Sequence, residues 1–219
     1  IWKPVYITNK GVKGSENGVK RSERTIELNQ EKDSIGQSFT FYKDGKPIFV
    51  KGANWIPVHS FPVDDKANRD RYRTLLCSAK EAGFNMLRVW GGGIYEHDYF
   101  YDLCDSLGIM VRQDFIFAGT PYPDSPDMLQ SIREEVRQQV SRIAKHPYVV
   151  LWCGNNEVKN GWEDWGWQGQ FNWTADQRAR LEKAMDTIFG YSSTTSNTST
   201  TSILAQAVRD CDPLQRPYI

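Results

Sequence analysis

Long apolar runs, an excess of charge of one sign, and histidine are all scarce in this sequence of 219 residues. The longest wholly apolar run, Tyr148 to Cys153, has six residues, far below the ~20 that a membrane-spanning helix needs. Lys plus Arg and Asp plus Glu both total 27, so no basic surplus is available to neutralise a phosphate backbone. The composition therefore argues against a membrane protein and a nucleic-acid binder, and we expect neither partner.

Cysteine and histidine are also poorly placed for metal binding or cross-linking. The 4 cysteines lie far apart and form no C-x-x-C pair, which predicts free and mostly buried thiols rather than a disulfide framework or a zinc site. The three histidines, His59, His97 and His146, show no ligand spacing. We therefore expect no metal and no cofactor. The chain begins at Ile1 without a secretory signal pattern, which favours a processed or excised piece.

Tryptophan, by contrast, is abundant. The chain has 8 Trp, and aromatic residues make up 13% of it. Tryptophan frequently lines concave ligand sites, where its large flat ring supplies contact area. The composition therefore indicates a soluble domain that contains a pocket.

The chain divides into a short polar N-terminal part and a longer regular part. Residues 1–35 are turn-rich and are expected to end a preceding β domain or to form a linker. Asp44-Gly45 lies between two apolar runs and predicts a β-hairpin. The remainder, 36–219, is expected to be one partial barrel domain. Within it, 192–202 is almost entirely Ser and Thr, which predicts a solvated loop.

Strand and helix patterns alternate after the hairpin. Buried strands are predicted at 48–53, 84–89, from 109 and at 148–153, and a fifth is expected to open at 216–219. Helices are predicted at 64–83, 96–107, from 124 to the His146-Pro147 pair, at 174–189 and at 203–211. Repeated β-α units joined by short loops predict a parallel sheet, and the fold class is α/β.

Polar and aromatic residues stand at the C-terminal ends of all four strands. The groups are Ala53–Trp55, Arg88–Trp90, Arg112–Asp114 and Gly154–Glu157. A doubly wound nucleotide-binding sheet would concentrate its signature after the first strand. A (β/α)₈ TIM barrel instead collects its active site from the ends of many strands. The pattern therefore favours about the first four to five strands of a barrel.

Glu157 is the candidate catalytic residue. It follows an apolar strand directly, with two Asn before it, and Trp152, Trp162 and Trp165 are near in sequence. An apolar setting raises the pKa of a carboxylic acid so that it can donate a proton near neutral pH. A glutamate that only caps the following turn is the alternative interpretation.

Four further residues are candidates for substrate binding. Asn156 can grip a sugar hydroxyl beside the reacting carbon, or form a turn. Trp90 and Trp55 can offer a platform for the C–H face of a sugar ring, or pack in the core. Arg88 can orient a catalytic carboxylate or belong to a structural ion pair, and both interpretations apply to Asp114 as well.

Two glycine- and aromatic-rich segments complete the candidate site. Gly91–Gly93 lacks the spacing of a phosphate-binding loop and predicts a tight turn beside the substrate. The segment 161–173 holds four Trp and one Phe in a polar stretch, which predicts an aromatic loop over the pocket, or else core packing. Within this segment, Trp165 is the best candidate for a substrate contact.

Four motifs, in order, resemble those of the β-mannosidase branch of glycoside hydrolase family 2. They are Gly52–Pro57, Arg88–Glu96, Gln113–Phe115 and Trp152–Glu157. The resemblance as a whole covers Thr25 to roughly Tyr191. The resemblance implies the N-terminal part of a (β/α)₈ catalytic barrel, here preceded by a short β segment and hairpin.

The resemblance also implies a retaining glycoside hydrolase that releases terminal β-D-mannose from the non-reducing ends of β-mannosides. In such an enzyme Glu157 would be the acid/base, Asn156 would contact the sugar 2-hydroxyl, and Trp90 and Trp165 would line the mannose subsite. The family places its nucleophilic glutamate on a strand beyond the fifth. We therefore expect the rest of the parent polypeptide, its β-sandwich domains and remaining barrel strands, as a partner.

Two other interpretations remain open. The chain could derive from a related enzyme that acts on a β-glucosaminide, β-galactoside or β-glucuronide, or it could be a catalytically incomplete sugar-binding fragment. Family analogy favours a periplasmic, extracellular or lysosomal location over the cytoplasm.

Overall fold

Two four-stranded sheets form the framework of the protein. The computed structural model describes residues 5–7, 26–61, 63–190 and 201–219. The first sheet is antiparallel and comprises β1 (Val5–Ile7), β2 (Ile26–Asn29), β3 (Thr40–Lys43) and β4 (Lys46–Ile48). The second is parallel and comprises β5 (Gly52–Trp55), β6 (Met86–Val89), β7 (Met110–Asp114) and β8 (Val149–Cys153).

Helices follow the parallel strands, and their ends match the capping residues of the sequence. They are α1 (Lys66–Glu81), α2 (Asp98–Leu107), α3 (Pro126–Ile143), α4 (Val158–Glu163), α5 (Trp167–Gln170), α6 (Ala175–Phe189) and α7 (Ile203–Cys211). The side chains of Asp65, Ser125 and Thr174 accept a backbone N–H at the starts of α1, α3 and α6. No helix of the described residues has both the length and the apolar composition for crossing a bilayer.

The parallel strands are arranged in chain order, β5-β6-β7-β8. A doubly wound sheet would reverse direction at a switch point, whereas a barrel adds each strand beside the previous one. The fifth strand has begun as predicted, because Trp152 N donates to Pro217 O at 3.0 Å and Ile219 N to Trp152 O at 3.0 Å. The expectation of a partial barrel within the α/β class is confirmed.

The antiparallel sheet packs against the N-terminal ends of the parallel strands. Apolar side chains of β2 and β3 share one buried cluster with residues at the starts of β6, β7 and β8; its members are Ile26, Leu28, Phe41, Met86, Met110, Tyr148, Val150 and Leu151. Asp44 and Gly45 turn the predicted hairpin with positive φ angles of 52° and 74°. Residue 35 lies in the connection between β2 and β3, which pair with each other, so both sides of the expected boundary contribute to one sheet.

One strand prediction is wrong. The apolar run at 48–53 predicts a buried strand, but β5 begins only at Gly52, and Phe49 and Val50 are exposed. Gly52 allows β5 to approach β6, because a Cβ atom there would lie 1.8 Å from Met86 O. Most of the predicted Ser/Thr loop at 192–202 lies outside the described residues; Ser202 itself caps α7 by accepting from Ala205 N at 3.2 Å.

Candidate active site

Side chains from the ends of all four parallel strands join in one hydrogen-bonded group. Arg88 Nε donates to Asp114 Oδ2 at 2.9 Å, and Arg88 Nη2 lies 2.6 Å from the same oxygen. Arg88 Nη1 also donates to Asn54 Oδ1 at 3.3 Å, and Nη2 to Asn156 Oδ1 at 2.8 Å. Asp114 is fully buried, so it supplies the negative charge that a partly buried guanidinium requires. Arg88 therefore forms a structural ion pair with Asp114, and through Asn156 it can also orient Glu157.

Asn156 connects this group to Glu157. Its Nδ2 donates to Glu157 Oε2 at 2.7 Å, while its Oδ1 accepts from Arg88. A guanidinium can only donate and an ionised carboxylate can only accept, so the two neighbours determine which way the amide points. Asn156 is buried and its backbone N donates to Phe117 O at 2.9 Å. The amide is therefore held at both its side chain and its backbone.

Glu157 lies four residues after the end of β8, in a left-handed backbone conformation with φ 59°. Residues other than glycine rarely adopt this region, and those that do are frequently at functional sites. Glu157 precedes α4 but its side chain makes no capping hydrogen bond. The hydrogen-bond partner of its carboxylate is Asn156 and not the backbone of α4, and the catalytic role of Glu157 stays a prediction.

The aromatic setting expected around Glu157 is not found, because Glu157 is exposed to solvent. Trp152 and Trp162 are instead buried in the core, where their indole N–H groups donate to Asp212 Oδ2 at 2.8 Å and to Glu182 Oε1 at 3.2 Å. Side chains of a strand alternate between its two faces, and Trp152 lies on the face that contacts the helices.

The segment 161–173 is more regular than the predicted loop. It contains all of α5 and the end of α4, and the ring of Trp167 packs over Gly161, where a Cβ atom would lie 2.4 Å from it. Trp162 supplies the core packing that the sequence left open. Trp165 is 49% exposed, so among the tryptophans of this segment it keeps a surface that a sugar can contact.

Trp90 and the three glycines after it form the predicted tight turn. Trp90 is half-buried, and its ring covers Gly92, where a Cβ atom would lie 2.2 Å from it. Gly93 N donates to Trp90 O at 3.0 Å. None of the three glycines has a positive φ angle, so they are required for space and not for backbone conformation. Gly91 N donates to Asp114 Oδ2 at 3.2 Å, which places the turn beside the group that holds Glu157.

Trp55 packs in the core and not at the surface of the site. It contacts Glu96, a residue to which the sequence assigns no role. Its ring lies 4.9 Å from Phe100 and 5.9 Å from Tyr72, and Nε1 donates to Glu96 Oε1 at 2.9 Å. The hydroxyl of Tyr72 donates to the other oxygen of Glu96. Burial raises the pKa of Glu96 above its usual value. A lone glutamate beside a helix start gives no periodic signal, so the sequence alone does not reveal this contact.

The described residues contain one group that could hold a metal ion: Asp102, Asp105 and His146. It lies before β8, at the opposite strand ends from Glu157. His146 Nδ1 is 2.9 Å from Asp105 Oδ2, and Tyr148 N donates to Asp105 Oδ1 at 3.0 Å. These contacts give the carboxylate hydrogen-bond partners without an ion. All four cysteines are free, and two of them are buried.

The remaining carboxylates after Glu157 stand away from strand ends. Glu163 and Asp164 are at the end of α4; Asp176, Glu182 and Asp186 are on α6; Asp210 is on α7. Asp212 is buried and paired with Arg216 at 3.0 Å. Each of these side chains is thus part of a helix, or is engaged in the core.

Comparison with curated proteins finds β-mannosidases. The chain is 51% identical to the β-mannosidase of Capra hircus over 147 residues, which are 64% of this chain and 16% of that protein. It is 54% identical to that of Mus musculus over 136 residues (61% and 15%) and 46% identical to β-mannosidase B of Aspergillus clavatus over 134 residues (61% and 16%). The matched region thus spans about a sixth of these relatives' length. No family model matches the chain.

Solved structures agree with the sequence comparison. A β-D-mannosidase from Dictyoglomus thermophilum superposes with a TM-score of 0.67 and 40% identity, covering 91% of this chain and 22% of that chain. A β-glucuronidase from Parabacteroides merdae superposes with a TM-score of 0.52 at 19% identity over 74% of this chain and 20% of that chain, which shows the shared fold alone. The resemblance to β-mannosidases that the four motifs indicate is confirmed.

Proposed function

We propose that this chain carries the acid/base half of the active site of a retaining glycoside hydrolase, which releases terminal β-D-mannose from the non-reducing ends of β-mannosides. The hydrogen bond from Asn156 to Glu157 at the end of β8, 2.7 Å long, is the observation that carries the proposal. The 40% identity to a β-D-mannosidase that covers 91% of this chain supports it.

Glu157 acts twice in this mechanism. In the first step the protonated carboxyl group donates its proton to the leaving glycosidic oxygen as the bond to the anomeric carbon breaks. In the second step the carboxylate accepts a proton from water, which attacks the covalent glycosyl-enzyme and restores the acid. An exposed carboxyl group at the end of a strand is open to both the leaving group and the incoming water.

Asn156 and Arg88 prepare Glu157 for this role. Arg88 neutralises the buried charge of Asp114 and holds the oxygen side of the Asn156 amide at 2.8 Å. Because one N–H of the amide is directed at Glu157, the second N–H remains for the sugar 2-hydroxyl, whose hydrogen bond strengthens in the transition state. Trp90 and Trp165 supply aromatic surface for the mannose ring.

The second half of the site lies on strands beyond the fifth. A retaining enzyme places its nucleophilic carboxylate about 5–5.5 Å from the acid/base. Of the carboxylates that follow Glu157 in the described residues, none stands at the end of a parallel strand. The proposal therefore assigns the nucleophile, and the strands that close the barrel, to the rest of a longer polypeptide, which is the partner of this chain.

The acid role of Glu157 is tested by leaving-group dependence in the intact protein. Glu157→Gln keeps the side-chain shape but cannot donate the proton. We expect kcat/KM to fall about 10²–10⁴-fold on a mannosyl disaccharide, whose leaving group needs protonation. The fall should be much smaller on 2,4-dinitrophenyl β-mannoside, whose leaving group departs without an acid. Steady-state kinetics on the two substrates measure the difference.

Glu163→Gln is the matched control, because Glu163 lies six residues away and pairs only loosely with Lys159, at 3.8 Å. It should leave both rates unchanged. An equal loss on both substrates in Glu157→Gln would refute the acid role. Aryl β-glucuronide or β-galactoside turnover above that of the mannoside would favour a related glycosidase, and mannose binding without any turnover would favour the incomplete sugar-binding fragment.

A further inference from the structure

Glu96 is a buried carboxylate that the proposed mechanism does not use. It is 1% exposed and lies just before α2, on the side of β5 that faces the helices. Its two oxygens accept hydrogen bonds from Trp55 Nε1, at 2.9 Å, and from the hydroxyl of Tyr72. Burying a carboxylate is costly even when it is hydrogen-bonded. An apolar side chain of similar size would fill this space at lower cost, so the position needs an explanation.

Trp55 holds the segment 90–96 at both ends. At its start, Trp90 N donates to Trp55 O at 3.1 Å. At its end, Glu96 accepts from the indole of the same residue. Between these points Gly93 packs closely on Pro57, since a Cβ atom there would lie 3.0 Å from Pro57 Cδ. The segment that carries Trp90 is therefore closed into a loop on one residue of β5.

The same residue is adjacent to the group that orients Glu157. Asn54 precedes Trp55 on β5 and faces the opposite side of the sheet, where its Oδ1 accepts from Arg88 Nη1 at 3.3 Å. Arg88 in turn holds Asn156. Asn54 and Trp55 are joined by one peptide bond, so a shift of the Trp55 backbone would also move the Asn54 side chain. The position of Trp55 thus affects both Trp90 and the Arg88 group.

We propose that Glu96 is a positioning residue: by fixing the indole of Trp55 it holds the segment 90–96 closed and sets the places of Trp90 and Arg88 in the site. Glutamate suits this task because its two coplanar oxygens accept from two donors at once, whereas glutamine offers one acceptor. The role of Glu96 in catalysis rests on the function proposed above; its effect on the segment does not.

Hydrogen exchange of the segment 90–96, measured by mass spectrometry on the intact protein, tests the first part. Glu96→Met, whose side chain has a similar length but no oxygen acceptor, and Trp55→Phe each remove the contact, and we expect amides of the segment to exchange about tenfold faster in both. The double variant should exchange no faster than either single one, because both changes break the same bond. Unchanged exchange, or additive effects, would overturn the proposal even if the protein has no mannosidase activity.

Tyr101→Phe is the matched control. Tyr101 is equally buried, and its hydroxyl donates to Gln113 Oε1 at 2.6 Å without touching Trp55 or Glu96. It should lower the melting temperature as Trp55→Phe does but leave the segment protected. In turnover assays, Trp55→Phe and Glu96→Met should raise KM for an aryl β-mannoside about tenfold, with Tyr101→Phe unchanged. Equal KM changes in all three variants would reduce Glu96 to a structural role.

Discussion

Gly91 determines how closely the end of β6 approaches Asn156. A Cβ atom at residue 91 would lie 2.9 Å from Phe115 O and 3.1 Å from Asn156 N. Both neighbours are backbone atoms, which cannot rotate away as the end of a flexible side chain can. The space at residue 91 is therefore limited first by the backbone that follows β7 and β8.

Gly91→Ala is expected to destabilise the protein by about 1–3 kcal/mol, the usual cost of forcing one methyl group into a packed site. It should also lower activity, because Asn156 must shift away from Glu157. Urea unfolding and turnover measure the two effects. Gly36→Ala is the matched control, since a Cβ atom at residue 36 has nothing within 4 Å. Equal stability of Gly91→Ala and the wild type would contradict this account of the glycine turn.

The sequence could place Arg88, Asn156 and Glu157 at one edge, because parallel strands end at the same edge. Arg88 lies near the end of one strand, and Asn156 and Glu157 follow another. The burial of Trp55 and Trp162 could not be predicted in the same way. An indole contributes the same hydrophobicity to a pocket or a core, and the difference depends on which partner its N–H finds. That partner, Glu96 or Glu182, is distant along the chain.

Among the elements, the beginning of the fifth strand depends on a buried ion pair. Arg216 Nη1 lies 3.0 Å from Asp212 Oδ1 and donates to Ala144 O at 2.9 Å, and Nη2 donates to His146 O at 2.8 Å. Asp212 also accepts from the indole of Trp152. One guanidinium therefore joins the end of α3, the start of β8 and the chain after α7.

Arg216→Leu is expected to cost about 3–5 kcal/mol in the free energy of unfolding, because it leaves a buried carboxylate and two carbonyl groups without their partner. Arg137→Leu removes a comparable contact on the surface, where Arg137 Nη1 lies 2.9 Å from Asp210 Oδ2 and both side chains are exposed to water. It should cost no more than about 1 kcal/mol. Chemical denaturation of the two variants compares them, and similar costs would contradict the role of the buried pair.

The ends of helices agree with the sequence prediction where the sequence provides a capping residue. Thr174 and Gln177 form a reciprocal capping box at the start of α6, and Gly108 ends α2 in a left-handed conformation. The apolar run at 48–53 predicted the start of β5 wrongly, because apolar residues alone do not show where hydrogen bonding to the neighbouring strand begins. In the segment 161–173, one of the glycines that indicate a loop, Gly161, instead makes room for the ring of Trp167.

At the scale of the whole molecule, the antiparallel sheet and the parallel sheet form one body through their shared cluster. Phe41 of β3 is buried against Met86 and Met110, which begin β6 and β7. The hairpin thus covers the end of the parallel sheet opposite Glu157. The stability of the antiparallel sheet should depend on the contact of Phe41 with Met86 and Met110. The geometry at the C-terminal strand ends, near Glu157, should not depend on it.

Phe41→Ala is expected to cost about 3–5 kcal/mol and to speed hydrogen exchange throughout 26–48, while the amides of 154–157 keep their protection. Phe39→Ala provides the control, because Phe39 packs on Phe41 edge-on at 6.0 Å but is 51% exposed. Its effect should be below about 1 kcal/mol. Loss of protection at 154–157 in Phe41→Ala would show instead that the two ends of the barrel open together.

The hairpin that covers one end of the parallel strands also affects how a ligand can reach the other end. The hairpin and its apolar cluster cover the N-terminal ends of the parallel strands, so a ligand of Glu157 would approach from their C-terminal ends. Under the function proposed above, product would therefore leave on the side from which substrate arrives.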